Sequence, residues 1–302
     1  MAALPPIRGE PAATVDAMPT AAHPADLVIT RATPDEWATV VEWAAAEGWN
    51  PGEADRGAFF AQDPHGFFLG RVDGEPATAI SVVNYGDTYA FLGFYLVRPD
   101  LRGRGFGIAT WRKGLTHAGA RVVGLDGVVD QQNNYRRSGF ELAYRSARFG
   151  GVSTLPAPDG TVRVLLPDEV GDVLAYDARC VPAARPIFLA RWLTEPTHRT
   201  FLRIVDATLT GFCTVRPARD GWRVGPLFAD TADDARQLLA ACARASGGAS
   251  LAVDVPLVNE PAVLLAESAG LTPTFETARM YTGGVRNHLQ DKVFGVTSLE
   301  LG

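Results

Sequence analysis

Residues 97–107 read Val97-Arg98-Pro99-Asp100-Leu101-Arg102-Gly103-Arg104-Gly105-Phe106-Gly107. The residues before this stretch, 89–97, are apolar on both faces of a strand, which is typical of a central strand. The residues after it place Ile108, Trp111 and Leu115 at helical spacing. The sequence therefore predicts a strand, a glycine-rich loop and a helix in direct succession.

The loop between this strand and this helix has the composition of a phosphate-binding turn. Glycines let the backbone bend and approach a ligand closely. The first turn of a helix leaves N–H groups unpaired and carries a partial positive charge, so it binds phosphate groups well. We therefore expect a pyrophosphate cradle made by Arg102, Gly103, Arg104, Gly105, Phe106 and Gly107.

Other interpretations of the loop are weaker. The dinucleotide fingerprint needs Gly or Ala at position 108, where this chain has Ile108. A P-loop needs a Gly-Lys-Ser/Thr sequence, which does not follow. RNA-binding segments rich in Arg and Gly are usually disordered repeats, whereas this one occurs once between a strand and a helix. A tight turn without a ligand stays open on the loop alone.

Two motifs together resemble the GNAT acetyltransferase superfamily. Arg102-x-x-Gly105-x-Gly107 is similar to its acetyl-CoA-binding motif, and Asn134-Tyr135-x-x-x-Gly139-Phe140 resembles its tyrosine-x-x-x-glycine-phenylalanine element. The two motifs lie in the family's order within residues 26–150. Residues 48–52 (Gly-Trp-Asn-Pro-Gly) and 125–127 (Leu-Asp-Gly) resemble a bacterial subgroup of tandem GNAT proteins.

The resemblance implies acetyl-CoA as co-substrate and assigns residues to it. Backbone around Leu96 and Val97, on a bulged strand that splays from its neighbour, would hold the acetyl and pantetheine groups. The N–H groups of residues 102–107 would hold the pyrophosphate. Asn134 would lie at the cofactor, and Tyr135 would lie near the sulfur.

Amide formation from a thioester also needs an acid for the leaving thiolate and a way to deprotonate the amine. Tyr135 is the candidate acid, with a packed helix tyrosine as the alternative. Asp126, at a predicted strand end, could bind the amine or accept its proton, with a turn aspartate before Gly127 as the alternative. The candidate acceptor-binding residues are Trp49, Asn50, Tyr85 and Tyr95, with core packing as the alternative for the two strand tyrosines. Two carboxylates that flank the Trp49 loop, Glu47 and Asp55, are interpreted as solvated charges.

The chain divides into two similar halves. We expect a disordered tail at 1–25, a GNAT domain at 26–150, a linker at 151–160 and a GNAT-like domain at 161–302. The predicted fold class is α/β (α+β): two tandem domains, each a mixed, mostly antiparallel sheet flanked by helices. Asp126 and Asp254 occupy matching places, a faint internal repeat. In the second half residues 229–234 contain three aspartates and no glycine, so we expect no CoA there.

Composition narrows the class of protein further. A net charge of −6 disfavours a general attraction to nucleic acid. The three cysteines form no C-x-x-C pair, so we expect buried free thiols. No metal motif is present, and no metal is expected. No run of apolar residues is long enough for a membrane span, and residues 1–25 lack signal-peptide features. We expect a cytoplasmic monomer or homodimer.

The sequence thus predicts an acetyl-CoA-dependent N-acetyltransferase. It would move an acetyl group to a primary amine of a small molecule by direct attack in a ternary complex. Two alternatives stay open: a non-catalytic acyl-CoA-binding or sensory protein, and an acetyltransferase acting on protein amines.

Overall fold

The computed structural model describes residues 26–302, so the tail predicted at 1–25 lies outside the described part. The first half begins with a strand, two helices and three antiparallel strands. Its elements are β1 (Leu27–Arg31), α1 (Trp37–Ala46), α2 (Asp55–Gln62), β2 (Phe67–Val72), β3 (Glu75–Tyr85), β4 (Tyr89–Val97), α3 (Phe106–Ala118), β5 (Val122–Val128), α4 (Gln132–Arg137) and β6 (Glu141–Gly151).

The second half repeats this order with an additional short strand at its end. Its elements are β7 (Val162–Val164), α5 (Val170–Cys180), α6 (Pro186–Leu193), β8 (Arg199–Val205), β9 (Thr208–Pro217), β10 (Trp222–Ala229), α7 (Ala232–Ala245), β11 (Leu251–Pro256), α8 (Glu260–Ser268), β12 (Thr272–Tyr281) and β13 (Val293–Gly295). Residues 152–161, at the predicted linker, hold no strand or helix. The mixed α/β class predicted from the sequence is confirmed.

Local sequence explains several of these elements. The hairpin between β2 and β3 turns at Asp73 and Gly74, whose φ angles of 53° and 83° are the left-handed values that this turn requires. Before α1, the Thr33 hydroxyl accepts from the Glu36 N–H, and the Glu36 carboxylate accepts from the Thr33 N–H. Helix α2 has no counterpart among the predicted elements. It is stabilised by packing on α6, where Phe59 stacks against Phe188 and Trp192.

Among the described residues the two halves share a single sheet. Its order is β1-β2-β3-β4-β5-β12-β6-β11-β10-β9-β8-β7, with β13 beside β10. The closing strand of each half has therefore crossed into the other half. β12 pairs with β5 of the first half, and β6 pairs with β11 of the second half. The two crossed strands also pair with each other.

The hydrophobic core follows this exchange. Ala147 and Phe149 of β6 belong to an apolar cluster whose other buried members come from the second half. Ala278 and Met280 of β12 belong to a cluster whose other buried members come from the first half. Each half thus completes the core of the other. Within residues 26–302, no helix has both the length and the apolar character needed to cross a membrane.

The central parallel strand pairs of the two halves separate in the same way, with different consequences. β4 pairs with β5 only from Tyr89 to Leu92, and β10 pairs with β11 only from Trp222 to Val224. In the second half, β13 enters the gap and pairs with the end of β10. In the first half, the gap between β4 and β5 is a cleft.

Candidate active site

The cleft lies where β4 and β5 separate and encloses about 880 Å³ of empty space, its open mouth included. Its lining comes from both halves of the chain. The first half contributes Glu47, Trp49, Leu92, Tyr95, Arg102 and Tyr135. The second half contributes Phe275, Thr277, Leu299 and Glu300.

Strand β4 is bulged at the cleft, as the family resemblance implies. Its register against β3 shifts between Leu96 and Gly93, and Phe94 has a left-handed φ of 45°. Beyond Leu92 the edge of β4 that faces β5 has no strand partner among the described residues. The backbone near Leu96 is therefore free to bind a ligand in the cleft. Leu96 lines the cleft, whereas the Val97 side chain packs with Phe106 in a separate apolar cluster.

The glycine-rich loop leads into an open helix N-terminus. Gly103 and Gly105 have φ values of 73° and 80°, which only glycine adopts readily. Gly105 is the N-cap of α3, and no side chain caps the first turn. A Cβ on Gly105 would have no atom within 4 Å, so the space in front of this turn is empty. An uncapped helix start with open space in front of it fits a phosphate group.

The other loop residues have local structural contacts. Arg102 donates to the Val97 carbonyl oxygen at 3.1 Å and pairs with Glu47. The guanidinium of the exposed Arg104 lies 5.1 Å from the centre of the Phe106 ring. At Gly107 a Cβ would come within 2.6 Å of the Tyr95 hydroxyl, so this glycine allows α3 to pack on β4. The backbone of this loop, rather than its side chains, is thus available to a ligand.

Tyr135 lies at the β5 side of the cleft in a row of aromatic rings. It stacks on Trp111 at 5.7 Å, and Trp111 contacts Tyr95 edge to face at 5.1 Å. Its ring covers Gly127, where any Cβ would collide with it. Burial raises the pKa of the Tyr135 hydroxyl above its usual range, so the group holds its proton at neutral pH. Asn134 bonds to Gln131 and Arg137 and is not among the lining residues.

Asp126 lies in the cleft wall, but its carboxylate is occupied. Arg279 of β12 donates to both of its oxygens, at 2.8 and 2.5 Å, and the side chain is fully buried. Burial raises the pKa of Asp126, while Arg279 opposes that shift. An amine could bind this carboxylate only by displacing Arg279. The geometry therefore favours a structural ion pair over the predicted catalytic role.

The predicted acceptor residues separate into two groups. Trp49 and Tyr95 line the cleft. The prediction that Tyr85 faces the cleft is wrong, because its buried hydroxyl donates to the Leu301 carbonyl oxygen at 2.8 Å. Asn50 is also outside the lining, since its amide bonds to the backbone of Asp220. Asn50 thus joins the Trp49 loop to the second half.

Two carboxylates interpreted as solvated charges are not free in solvent. Asp55 is buried and accepts from Arg216 at 2.7 Å, a contact between α2 and β9. Glu47 lines the cleft, where it pairs with Arg102. Sequence reasoning also missed Arg148, Thr277, Leu299 and Glu300 in the lining. No local pattern marks them, because each reaches the cleft through the strand exchange or the segment after β13.

The corresponding site in the second half is closed. The start of α7 is capped by Thr231, whose hydroxyl accepts from the Asp234 N–H at 3.1 Å. Asp234 also accepts from Arg203, and Asp230 pairs with Lys292. Besides β13, the backbone of Val296 and Thr297 packs so closely on Gly225 that a Cβ would collide with it. The start of α7 therefore has a side-chain cap and nearby carboxylates, and the gap beside β10 is filled by the chain's own backbone.

Comparison with known proteins identifies the family. A model described as the acetyltransferase (GNAT) family matches residues 34–140, and one described as an acetyltransferase (GNAT) domain matches residues 173–295. The chain is 35% identical over 271 residues to holothin acyltransferase from Pseudoalteromonas sp. (strain SANK 73390), covering 89% of this chain and 92% of the relative. The chain belongs to the GNAT acyltransferase family. The predicted resemblance to tandem GNAT proteins is thereby confirmed.

Solved structures share the fold of this GNAT protein along most of its length. A putative acetyltransferase from Pyrococcus horikoshii superposes with a TM-score of 0.78 at 22% identity, covering 95% of this chain and 99% of that one. A tandem GNAT protein from the clavulanic acid biosynthesis pathway gives a TM-score of 0.60 at 15% identity, covering 85% and 99%. The two-domain GNAT architecture is therefore common to all three.

Proposed function

We propose that this GNAT acyltransferase transfers an acetyl group from acetyl-CoA to a primary amine of a small molecule. The observation that carries the proposal is the cleft between β4 and β5. It brings a bulged strand edge near Leu96 together with Tyr135 and with Arg102, the first residue of the loop that leads to the open helix start at Gly105. Acyl-CoA donors are what GNAT acyltransferases use, and the open turn fits their phosphates.

The residues of the cleft suit direct transfer in a ternary complex. The thioester supplies an activated acyl group; its C–S bond breaks as the amine nitrogen forms the new C–N bond. The backbone N–H groups of β4 near Leu96 donate hydrogen bonds to the carbonyl oxygen as negative charge develops on it. Tyr135 holds its proton until transfer, because burial raises its pKa, and gives it to the leaving sulfur. The proton that the amine nitrogen loses on forming the amide passes through water to the Tyr135 oxygen, which restores the hydroxyl.

A small acceptor fits the cleft better than a protein side chain. The second half of the chain contributes Phe275, Thr277, Leu299 and Glu300 to the cleft wall. A cleft walled by both halves favours a small molecule over a polypeptide. Holothin acyltransferase and the tandem GNAT protein of the clavulanic acid pathway are also named for small-molecule chemistry.

Thiol release in an amine library tests this function. The purified chain is incubated with acetyl-CoA, or with longer acyl-CoA thioesters, and each amine in turn. We expect amine-dependent release of free thiol with acetyl-CoA and a mass increase of one acetyl group on the acceptor. Reactions without amine measure background hydrolysis. Tight acyl-CoA binding without thiol release for any amine would favour a non-catalytic binding protein instead.

A further inference from the structure

Two polar atoms in the cleft wall lack hydrogen-bond partners. They are Oε2 of Glu300 and Oγ1 of Thr277, and both are buried. Glu300 and Thr277 are both lining residues of the cleft. Buried polar atoms without partners are uncommon, because each costs the free energy of its lost hydration. An unpaired carboxylate oxygen beside a cleft therefore indicates a group that a ligand completes.

The other charged side chains in the cleft wall are already paired. Glu47 pairs with Arg102, Asp126 with Arg279, and Arg148 with Asp254. Glu300 itself uses only Oε1, which accepts from Arg223 at 3.4 Å. An incoming N–H group can thus bind Oε2 of Glu300 without breaking an existing ion pair.

The segment that carries Glu300 is held firmly. The Ser298 hydroxyl accepts from the N–H groups of Glu300 and Leu301, at 3.1 and 3.2 Å. The Tyr85 hydroxyl binds the Leu301 carbonyl oxygen. The backbone of Glu300 also packs directly on Gly93, where any Cβ would collide with it. These contacts fix Glu300 beside the bulge of β4, so little order would be lost on binding.

Thr277 reaches the same cleft from the exchanged strand. It lies on β12 opposite Val128, at the end of β5. Both unpartnered atoms therefore come from the second half of the chain, where the helix start that corresponds to the glycine-rich loop is capped. Between them and β4 the wall is apolar, with Leu92, Phe94, Leu125, Phe275 and Leu299.

We propose that Oε2 of Glu300 and Oγ1 of Thr277 bind the amine of the acceptor, so that the second GNAT domain supplies the acceptor subsite of the first. This inference rests on the proposed function. Glu300 accepts a hydrogen bond from an N–H group of the amine. Thr277 makes a second contact with the same nitrogen, and the two contacts together orient the nitrogen lone pair toward the β4 bulge. The substrate class is a compact primary amine with an apolar body, because the surface of this cleft is mostly apolar.

Two isosteric variants test the subsite in the intact chain. Glu300→Gln keeps an oxygen for Arg223 but removes the charge, and Thr277→Val removes only the hydroxyl. With the best amine from the screen, we expect the amine KM to rise at least tenfold in Glu300→Gln and several-fold in Thr277→Val. The dissociation constant of acetyl-CoA, measured by calorimetry, should change less than twofold.

The controls use the same chemical changes away from the cleft. Glu267→Gln lies on the exposed face of α8, and Thr272→Val lies at the exposed start of β12. Both should keep wild-type kinetics. A des-amino analogue of the acceptor gives a second readout as a competitive inhibitor. It should bind wild type and Glu300→Gln equally, whereas a merely structural effect would weaken the analogue and the amine together.

The outcomes separate the two proposals. An unchanged amine KM in both variants, with an active wild type, overturns the subsite and leaves the proposed function standing. A wild type that binds acetyl-CoA but acetylates no amine overturns both. If Glu300→Gln does not fold, Glu300→Asp keeps the charge and withdraws it by one methylene group. A wild-type amine KM in that folded variant would also overturn the subsite.

Discussion

Gly105 is the residue on which the proposed cofactor binding depends most directly. Its φ of 80° is left-handed, and the space where a side chain would stand is empty. The motif in the sequence predicted this residue, because a glycine before a helix is readable without knowing the rest of the chain. Tyr135 was found in the same way, as part of a local motif. Glu300 and Thr277 could not be recognised from a local motif, because the residues around them in the fold come from strands far away in the sequence.

Replacing Gly105 with Val tests the phosphate cradle. The new side chain would stand in front of the first turn of α3 and strain the backbone there by about 1–2 kcal/mol. We expect CoA affinity to fall at least tenfold, about 1.4 kcal/mol, while the fold survives. Wild type should bind one CoA per chain by calorimetry, because α7 is capped. Gly86→Val is the matched control, since Gly86 also has a left-handed φ and open space. Equal CoA affinities in all three proteins would argue against the cradle.

Replacing Tyr135 with Phe tests the acid. The ring keeps its stacking on Trp111 and only the hydroxyl is lost, so acetyl-CoA binding should change little. The lost interaction belongs to the transition state, so kcat and kcat/KM should fall together, by about 10²-fold or more. Tyr89→Phe, at the far end of β4, removes another buried hydroxyl and should leave turnover unchanged. A wild-type kcat in Tyr135→Phe would assign the tyrosine to packing alone.

The exchanged strands carry the ion pairs that join the two halves. Arg279 on β12 lies opposite Asp126 on β5, and Arg148 on β6 lies opposite Asp254 on β11. The sequence placed Asp126 and Asp254 at matching positions, and the structure gives both the same partner type. What the sequence could not provide is the arginine in each pair, because it arrives from the other half. Asp126 therefore looked free in the sequence and is bound in the fold.

The ion pairs of Asp254 make part of the stability depend on pH. Burial alone would raise the pKa of Asp254, but Arg148 and Arg223 outweigh it and lower that pKa to about 2 from 3.8. A carboxyl with a lowered folded-state pKa contributes stability above its unfolded pKa and loses it as the pH falls through the folded value. This difference corresponds to about 2 kcal/mol.

Urea unfolding between pH 6 and pH 2.5 measures this contribution. The free energy of unfolding should fall by about 1.5 kcal/mol more in wild type than in Asp254→Asn, which has no carboxyl to titrate; the rest of the contribution remains at pH 2.5, above the folded pKa. Asp87→Asn, at an exposed turn, should follow the wild-type curve. Parallel curves for wild type and Asp254→Asn would show that the ion pair does not stabilise the fold through its charge.

The strand exchange predicts that the whole molecule is one folding unit, in which the two halves of the repeat do not fold separately. Apart from α2 and β13, the order of strands and helices in each half is predictable from local patterns, as are the hairpin at Asp73 and the loop before α3. The crossing of β6 and β12 was not, because both strands read equally well as the last strand of their own half. Strands that are far apart in the sequence pair where they complete a hydrophobic core. The local patterns of a single sequence do not show which core each strand completes.

Dividing the chain in its linker tests this interdependence. A fragment of residues 1–156 lacks β12, so β5 would have an unpaired edge and the cluster around Met280 would lose two buried side chains. A fragment of residues 157–302 lacks β6, and with it Phe149 from its core. Exposed strand edges and incomplete cores favour aggregation. We therefore expect neither fragment to give a folded monomer by circular dichroism and size-exclusion chromatography.

Co-expression of the two fragments supplies the missing strands. Since residues 152–161 contribute no strand or helix, a break after Pro156 should leave every strand pairing possible. We expect the fragments to purify as a 1:1 complex that binds CoA with an affinity close to that of the intact chain. A folded 1–156 monomer that binds CoA by itself would contradict this view, because it would mean that the first half closes its own sheet without β12.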